Sequence, residues 1–218
     1  MLDKLAEKLL ELLFPPKCAF CGRITESAEV RCCADCEAKL PRVTPGAQKF
    51  DFLTAVYSPL YYEGSVRDAL LRFKFQNTPS LSECFGEMIA DRLREEGAEF
   101  DVLSYVPLSR RRLRKRGYNQ SRLLAERIGR ELGVPVVPTL EKFRHVKAQS
   151  KMKDAAARRA NISGCYRVRR DAPVTGQRVL LIDDIVTTGS TLSECARTLL
   201  LGGAESVCAA TVARKRKT

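Results

Sequence analysis

A run of apolar residues that ends in two adjacent carboxylates narrows the choice of fold more than any other part of this chain. Residues 179–191 read VLLIDDIVTTGST. The apolar residues predict a buried strand at residues 178–182, and Thr191 is the predicted start of a helix. In sheets built from strand, loop and helix, ligands bind at the carboxyl ends of the strands. The run therefore predicts an α/β fold and the position of its binding site.

Strands and helices alternate along most of the remaining chain. We predict further strands at residues 53–62, 101–106, 134–137 and 206–212, and helices at residues 66–75, 81–96, 121–132 and 191–201. This alternation predicts a mainly parallel sheet with helices on both faces. Pro45 and Gly46 indicate a linker, so we place a boundary between residues 1–48 and a larger domain at residues 49–218.

The loop after the predicted strand has the composition of a site for a sugar phosphate. Main-chain N–H groups at a helix N-terminus bind phosphate, glycine allows a close approach, and hydroxyl groups add donors. Carboxylates on the same exposed loop would repel a phosphate unless they accept hydrogen bonds from sugar hydroxyls or face a divalent cation. A ribose 5-phosphate meets both demands. The candidate residues are Asp183, Asp184, Thr187, Thr188, Gly189, Ser190 and Thr191.

Five of the nine cysteines lie within residues 1–40. Cys18 and Cys21 form one CxxC pair, and Cys33 and Cys36 form a second pair after eleven intervening residues. This spacing predicts a structural zinc knuckle or short zinc ribbon with four thiolate ligands. Cys32 is an alternative third ligand, although its CxxxC spacing to Cys36 is the less usual one. Disulfides are the weaker interpretation, because nothing places the chain in an oxidising compartment.

Positive charge is concentrated in the second half of the chain. Residues 101–218 carry 25 basic and 10 acidic residues, a net of +15, whereas residues 1–100 have a net of −3. This excess predicts a polyanionic partner, and a solvated basic surface is the alternative. Residues 2–14 predict an amphipathic helix that packs on the rest of the protein, with a membrane or partner contact as the alternative. Its charges argue against a membrane span and a signal peptide, so we expect a cytoplasmic protein.

Residues 179–191 resemble the phosphoribosyl pyrophosphate (PRPP) signature of type I phosphoribosyltransferases. The order of motifs along the chain resembles the ComF family of competence proteins. These motifs are the two CxxC pairs, VPLS at residues 106–109, RGYNQ at residues 116–120, a segment with Gln149, Arg158 and Asn161, and the signature. The resemblance implies a type I phosphoribosyltransferase-like sheet flanked by helices and a small N-terminal domain with four cysteine ligands to zinc.

The resemblance also implies roles for particular residues. Asp183 and Asp184 would contact the ribose hydroxyls of PRPP, which binds with magnesium, and residues 187–191 would hold its 5-phosphate. Pyrophosphate would bind in the loop formed by Pro107, Leu108, Ser109 and Arg110. Residues 144–161, with Gln149, Arg158 and Asn161, would form the mobile loop that covers the site; a solvated basic loop is the alternative. For residues 116–120 the alternative is a helix start capped by Asn119 or Ser121.

Residues 110–116 contain six basic residues, more than one diphosphate with magnesium needs. We therefore expect a second polyanion, single-stranded DNA, at Arg111, Arg112, Arg114, Lys115 and Arg116. The resemblance to the ComF family implies a role in DNA uptake during natural transformation, so the resulting hypothesis is a PRPP-binding protein that acts in this process. The second possibility is a metabolic phosphoribosyltransferase that transfers phosphoribose to a small nitrogenous acceptor, with the basic surface incidental. No nucleobase pocket is recognisable, so the sequence does not identify the acceptor. A third possibility is a non-catalytic, zinc-containing scaffold for a DNA translocase or helicase.

Overall fold

The computed structural model describes residues 15–27, 29–46, 48–143 and 164–216. Within these ranges the helices are α1 (Ala34–Glu37), α2 (Gly64–Phe75), α3 (Leu81–Glu95), α4 (Arg110–Arg116), α5 (Gln120–Leu132) and α6 (Ser190–Leu201). The strands are β1 (Gln48–Phe50), β2 (Leu53–Tyr57), β3 (Leu60–Tyr61), β4 (Val102–Tyr105), β5 (Leu140–Lys142), β6 (Tyr166–Val168), β7 (Arg178–Val186) and β8 (Ser206–Arg214).

The main sheet has the strand order β1-β2-β8-β7-β4, and β3 pairs with β8. All of its pairings are parallel except that of β1 with β2, which confirms the predicted mainly parallel sheet. Successive residues of a strand point to opposite faces. Leu180 and Ile182 of β7 accordingly join one apolar cluster with α2, α3 and α5, while Val179 and Leu181 join a second cluster with α6. Both faces of the sheet are therefore covered.

The predicted end of the strand at Ile182 was wrong, because β7 continues to Val186. Its neighbour β8 continues to Arg214 and keeps the ladder intact, with Val186 opposite Arg214. Asp183 and Asp184 therefore lie inside the strand and not on an exposed loop, and Asp184 is buried. Because adjacent residues of a strand point to opposite faces, the two carboxylates have different surroundings.

Other segments also differ from the prediction. Residues 134–137 form only an isolated bridge, Val136 to Leu103, because Pro135 and Pro138 cannot donate the hydrogen bonds of a longer ladder. Helix α4 and the small antiparallel sheet of β5 and β6 were not predicted. The apolar segments of β5 and β6 are too short, and α4 is too rich in arginine, to show the hydrophobic periodicity from which a strand or helix is predicted.

The N-terminal part packs directly on the larger domain. The ring of Phe20 lies 6.0 Å from that of Phe85, which in turn lies 5.7 Å from that of Phe73. Arg72 of α2 donates hydrogen bonds to the carbonyl oxygens of Ala19 (2.6 Å) and Phe20 (3.0 Å). The two parts thus share one apolar core, and the boundary after residue 48 stays a prediction. The predicted helix at residues 2–14 falls outside the described residues, and no described helix is long and apolar enough to span a membrane.

Candidate functional site

A cleft of about 380 Å³ opens at the carboxyl ends of β4 and β7. These two strands are parallel neighbours, so the loops that follow them meet at one edge of the sheet. The cleft is lined by all of residues 183–191 and by Pro107, Leu108 and Ser109. The structure therefore brings the predicted PRPP residues next to three of the four predicted pyrophosphate-loop residues.

Residues 187–189 form the turn between β7 and α6, and residues 190 and 191 begin the helix. Gly189 precedes the helix with a φ of 74°, and its carbonyl oxygen accepts a hydrogen bond from the N–H of Ser193 (2.8 Å). The hydroxyl groups of Thr188 and Ser190 are hydrogen-bonded to each other (2.8 Å). The first N–H groups of a helix have no intrahelical acceptor, and the start of α6 lines the cleft. This arrangement has the chemistry of an anion cradle.

Gly189 also has a packing role that the sequence did not reveal. A Cβ atom at this position would lie 2.2 Å from Cδ1 of Phe50, far inside van der Waals contact. The ring of Phe50, at the end of β1, therefore packs against the turn. A side chain at residue 189 would displace this ring as well as strain a backbone with positive φ.

The two carboxylates have different partners. Asp184 Oδ1 lies 2.9 Å from Nζ of Lys74, at the end of α2. Asp183 Oδ1 accepts hydrogen bonds from Oγ of Ser121 (2.9 Å) and from the N–H of Asp184 (2.9 Å). Burial and the neighbouring charge of Asp184 raise the pKa of Asp183 from 3.8 to about 7. Asp183 thus exchanges its proton near neutral pH, whereas Asp184 is neutralised by a lysine.

The loop after β4 is shaped by two helix caps. Ser109 Oγ accepts a hydrogen bond from the N–H of Arg112 (3.4 Å) at the start of α4. Asn119 caps α5 by accepting from the N–H of Ser121 (3.1 Å), and its Nδ2 donates to the carbonyl oxygen of Val106 (3.1 Å). The RGYNQ motif at residues 116–120 therefore starts a helix and also fastens the loop that follows β4. Capping of this kind typically contributes about 1 kcal/mol.

Helix α4 divides the predicted nucleic-acid residues into two sets. Arg112 and Arg116 are half-buried, line the cleft and lie four residues apart, on one face of the helix. Arg111, Arg114 and Lys115 are exposed and outside the cleft lining. Arg110, predicted for the pyrophosphate loop, is also exposed and is not among the lining residues.

The structure adds cationic residues that sequence reasoning missed. Lys74, Lys142 and Lys215 line the cleft. The ammonium group of Lys142 donates to the hydroxyl oxygen of Tyr166 (3.1 Å) and lies 4.8 Å from the centre of its ring. Burial and the charge of Arg112 lower the pKa of Lys142. Single lysines on separate elements carry no sequence signal, so these residues could not have been found before the fold was known.

The predicted covering loop cannot be placed in the same way. Gln149, Arg158 and Asn161 lie outside the described residues, which end at residue 143 and resume at residue 164. Their assignment to PRPP binding stays a prediction.

A second cluster of functional groups lies in the N-terminal part. The sulfur atoms of Cys18, Cys21, Cys33 and Cys36 all lie within 4.8 Å of one another, and those of Cys21 and Cys33 are 3.7 Å apart. Four thiolates at about 2.3 Å from a tetrahedral zinc ion would be about 3.8 Å apart, so the cluster fits zinc. The thiol of Cys32 donates to the carbonyl oxygen of Cys33 (3.6 Å) and is not part of this group. With four sulfur ligands and no open position, the centre has the form of a structural zinc site.

Comparison with known proteins agrees with both parts of the structure. Residues 119–218 match the phosphoribosyl transferase domain family, and residues 9–47 match the double zinc ribbon domain family. A solved structure of the glutamine PRPP amidotransferase from Bacillus subtilis shows 22% identity and a TM-score of 0.43, over 64% of this chain and 30% of that one. The fold and the cysteine cluster define a type I phosphoribosyltransferase-like protein with an N-terminal zinc ribbon.

Two curated relatives specify the family further. Competence protein ComFC of Bacillus subtilis is 30% identical over 199 residues, which cover 90% of this chain and 77% of the relative. DNA utilization protein YhgH of Escherichia coli is 36% identical over 107 residues, and the match spans 49% of this chain and about half (46%) of that relative. The chain belongs to the ComF family, as the order of its motifs predicted.

Proposed function

We propose that this protein binds the magnesium complex of PRPP in the cleft and acts on single-stranded DNA during DNA uptake. The observation that carries the proposal is the meeting of residues 183–191 with residues 107–109 in one cleft. The names of the two relatives, a competence protein and a DNA utilization protein, support the part that concerns DNA.

The 5-phosphate binds at the start of α6. There the N–H groups and the hydroxyl groups of Thr188 and Ser190 surround one end of the cleft. The ribose hydroxyls then fall beside Asp183 and Asp184, which accept their hydrogen bonds. Lys74 offsets the charge of Asp184, so a phosphorylated ligand meets less repulsion than two free carboxylates would cause.

Asp183 and Asp184 would hold magnesium together with the diphosphate of the ligand. Mg²⁺ prefers oxygen ligands and is commonly held by one or two carboxylates together with substrate phosphates. Asp183 and Asp184 offer such oxygens, but Asp184 is paired with Lys74 and Asp183 has a raised pKa. These two residues therefore suit a metal ion that phosphate oxygens also bind, and they do not form a complete cage of their own.

The diphosphate lies along residues 107–109, and three of the five described basic side chains that line the cleft bind it. These are Lys142, Arg112 and Arg116, and none of them forms an ion pair with a carboxylate among the described residues. Partly buried cations without a counterion are costly, and an anionic ligand removes this cost. In phosphoribosyl transfer the bond from C1 to pyrophosphate breaks and its electron pair leaves with the pyrophosphate, so the same cations would stabilise the developing charge.

Single-stranded DNA binds on the outer side of α4. Several exposed arginines elsewhere are paired with a carboxylate, such as Arg122 with Glu126 and Arg130 with Glu83. In contrast, no basic side chain of α4 has a carboxylate partner within the described part of the chain. Uncompensated charge on one exposed face is the electrostatic pattern of a nucleic-acid contact.

Calorimetric titration of PRPP with magnesium tests the cleft assignment. We expect Asp184→Asn to weaken binding at least tenfold, because it removes a ribose or magnesium acceptor. We expect Lys142→Met to weaken binding of PRPP while leaving that of ribose 5-phosphate unchanged, because only PRPP carries the diphosphate. Arg111→Ala, on the outer side of α4, is the control with unchanged affinity for PRPP.

Thermal melting of each variant separates loss of binding from loss of folding, since Asp184→Asn leaves Lys74 partly buried without its carboxylate. No saturable binding to the wild-type protein would refute the cleft assignment. Equal weakening of PRPP and ribose 5-phosphate by Lys142→Met would place the diphosphate elsewhere.

A further inference from the structure

An exposed aromatic ring stands at the rim of the cleft. Phe75, the last residue of α2, is 63% exposed, whereas Phe73 is fully buried in the core. Its neighbour along the chain, Lys74, lines the cleft. The guanidinium carbon of Arg116, another lining residue, lies 5.1 Å from the centre of the Phe75 ring. Phe75 therefore adjoins the cleft and still exposes most of its surface to solvent.

The surroundings hold this pair in place. Arg116 donates a hydrogen bond to Oε1 of Gln120 (2.9 Å), and Nε2 of Gln120 donates to the carbonyl oxygen of Phe73 (3.2 Å). The hydroxyl of Tyr118 donates to the same carbonyl oxygen. The last turn of α2 and the start of α5 are thus tied together beneath the ring. A platform that is ordered before binding loses less entropy when a ligand stacks on it.

The chemistry of this rim combines an aromatic face, an arginine and uncompensated charge. Arg114 and Lys115 are exposed on the same helix as Arg116. Leu113, between them and Arg112, is 42% exposed and adds apolar surface. Proteins that bind single strands without sequence preference pair a basic track for the backbone with aromatic rings on which bases stack.

We infer that Phe75, backed by Arg116, stacks a base of single-stranded nucleic acid at the mouth of the cleft. The inference rests on the proposed function, because α4 supplies the contacts to the phosphates. It goes beyond that function by identifying where a base, and not only the backbone, touches the protein. It also places the bound nucleic acid at the edge of the cleft that we propose for PRPP.

Fluorescence anisotropy with two labelled oligomers of equal length tests the inference. One oligomer is a thymidine homo-oligonucleotide, and the other is an abasic strand with the same phosphates. We expect Phe75→Ala to weaken binding of the thymidine oligomer at least about fivefold, the lower end of what one stacked base contributes. Binding of the abasic strand should be unchanged, and Phe75→Trp should restore binding of the thymidine oligomer.

Phe52→Ala is the matched control, because Phe52 is also a half-exposed phenylalanine (52%) but lies in the turn between β1 and β2. This variant should bind both oligomers as the wild type does. Unchanged binding of the thymidine oligomer by Phe75→Ala, or equal weakening for both oligomers, would overturn the inference while leaving the DNA contact of α4 intact. If the wild type binds neither oligomer, the DNA part of the proposed function fails and the inference fails with it.

Discussion

Asp183 and Asp184 are adjacent in sequence but differ in their electrostatic surroundings. Asp184 has a lysine counterion at 2.9 Å, whereas Asp183 is held by a hydroxyl and a backbone N–H. Burial, and after it the nearby carboxylate of Asp184, raises the pKa of Asp183. The structure therefore gives a cationic partner to one of two residues that the sequence presents as equivalent, and neutral hydrogen-bond donors to the other.

This difference predicts a dependence of stability on pH. The pKa of Asp183 is about 7 in the folded protein and 3.8 when unperturbed, so its contribution to stability is fully present below pH 3.8 and is lost as pH rises through 7. Asn cannot ionise but keeps an oxygen for Ser121. Relative to Asp183→Asn, we expect the free energy of unfolding of the wild type to fall across this range. At about 1.4 kcal/mol for each pH unit between the two pKa values, the limit is about 4 kcal/mol.

Urea unfolding of both proteins at a series of pH values, without PRPP or magnesium, measures this effect. Asp183→Asn serves as the reference for the wild type, because the two proteins share all other titrating groups. If the free energies of unfolding of the two proteins ran parallel from acid to neutral pH, the pKa of Asp183 would not be raised in the folded protein.

At the scale of elements, α4 turns a run of six basic residues into two surfaces. The helical period places Arg112 and Arg116 on the cleft side and leaves Arg111, Arg114 and Lys115 in solvent. Sequence reasoning treated these residues as one DNA-binding group, because the run has no apolar period from which a helix could be recognised. The structure places the contacts for a small ligand on one side of α4 and the contacts for the phosphates of a polymer on the other, and Arg116 lies at the rim between them.

Paired variants of α4 test this separation. We expect Arg114→Ala with Lys115→Ala to flatten the dependence of log affinity for single-stranded DNA on log salt by about 1.4, since each phosphate contact on a single strand contributes about 0.7. The same variant should keep its affinity for PRPP. Arg112→Ala should instead weaken binding of PRPP, because its side chain lines the cleft.

Arg130→Ala serves as the control, since Arg130 is exposed but paired with Glu83. Anisotropy at increasing salt gives the slopes, and calorimetry gives the affinity for PRPP. If the double variant of Arg114 and Lys115 lost affinity for both single-stranded DNA and PRPP, the two faces of α4 would not bind different ligands.

At the scale of the whole molecule, α2 connects the zinc centre with the cleft. Arg72 donates hydrogen bonds to the carbonyl oxygens of Ala19 and Phe20, next to Cys18 of the cysteine cluster. Two residues further on, Lys74 forms an ion pair with Asp184. Phe20, Phe73 and Phe85 pack edge to face between the two sites. Zinc bound by the cysteine cluster would therefore stabilise the end of the helix from which Lys74 reaches the cleft.

Two adjacent cysteines offer a matched test of this connection. We expect Cys33→Ser to lose zinc and to lower the melting temperature of the whole chain in a single transition, at roughly 2–4 °C for each kcal/mol lost. Cys32→Ser should keep its zinc, because its sulfur lies outside the cluster. Metal analysis, calorimetric melting and titration of PRPP measure the three effects.

If Cys33→Ser melted in two transitions and the larger one were unmoved, residues 1–48 would be an independent unit. In that case affinity for PRPP would also be unchanged. If Cys32→Ser lost its zinc instead, Cys32 and not Cys33 would be the third zinc ligand.

The sequence by itself determined the features that are written in contiguous residues. The strand, the carboxylates and the turn of residues 179–191 are consecutive, and so are the members of each CxxC pair, so local geometry suffices to predict a phosphate cradle and a zinc ligand set. The alternation of strands and helices likewise predicted the parallel sheet, because periodicity is a local property.

Only the tertiary structure decided what depends on contacts between distant residues. The length of β7 depends on pairing with β8, the counterion of Asp184 comes from α2, and the ammonium of Lys142, hydrogen-bonded to Tyr166, reaches the cleft from β5. The exposure of Phe75 beside Arg116 is also a result of packing, since its neighbour Phe73 is buried. Such contacts depend on how the elements pack. The local sequence around a single lysine or phenylalanine therefore does not predict which distant residues it contacts.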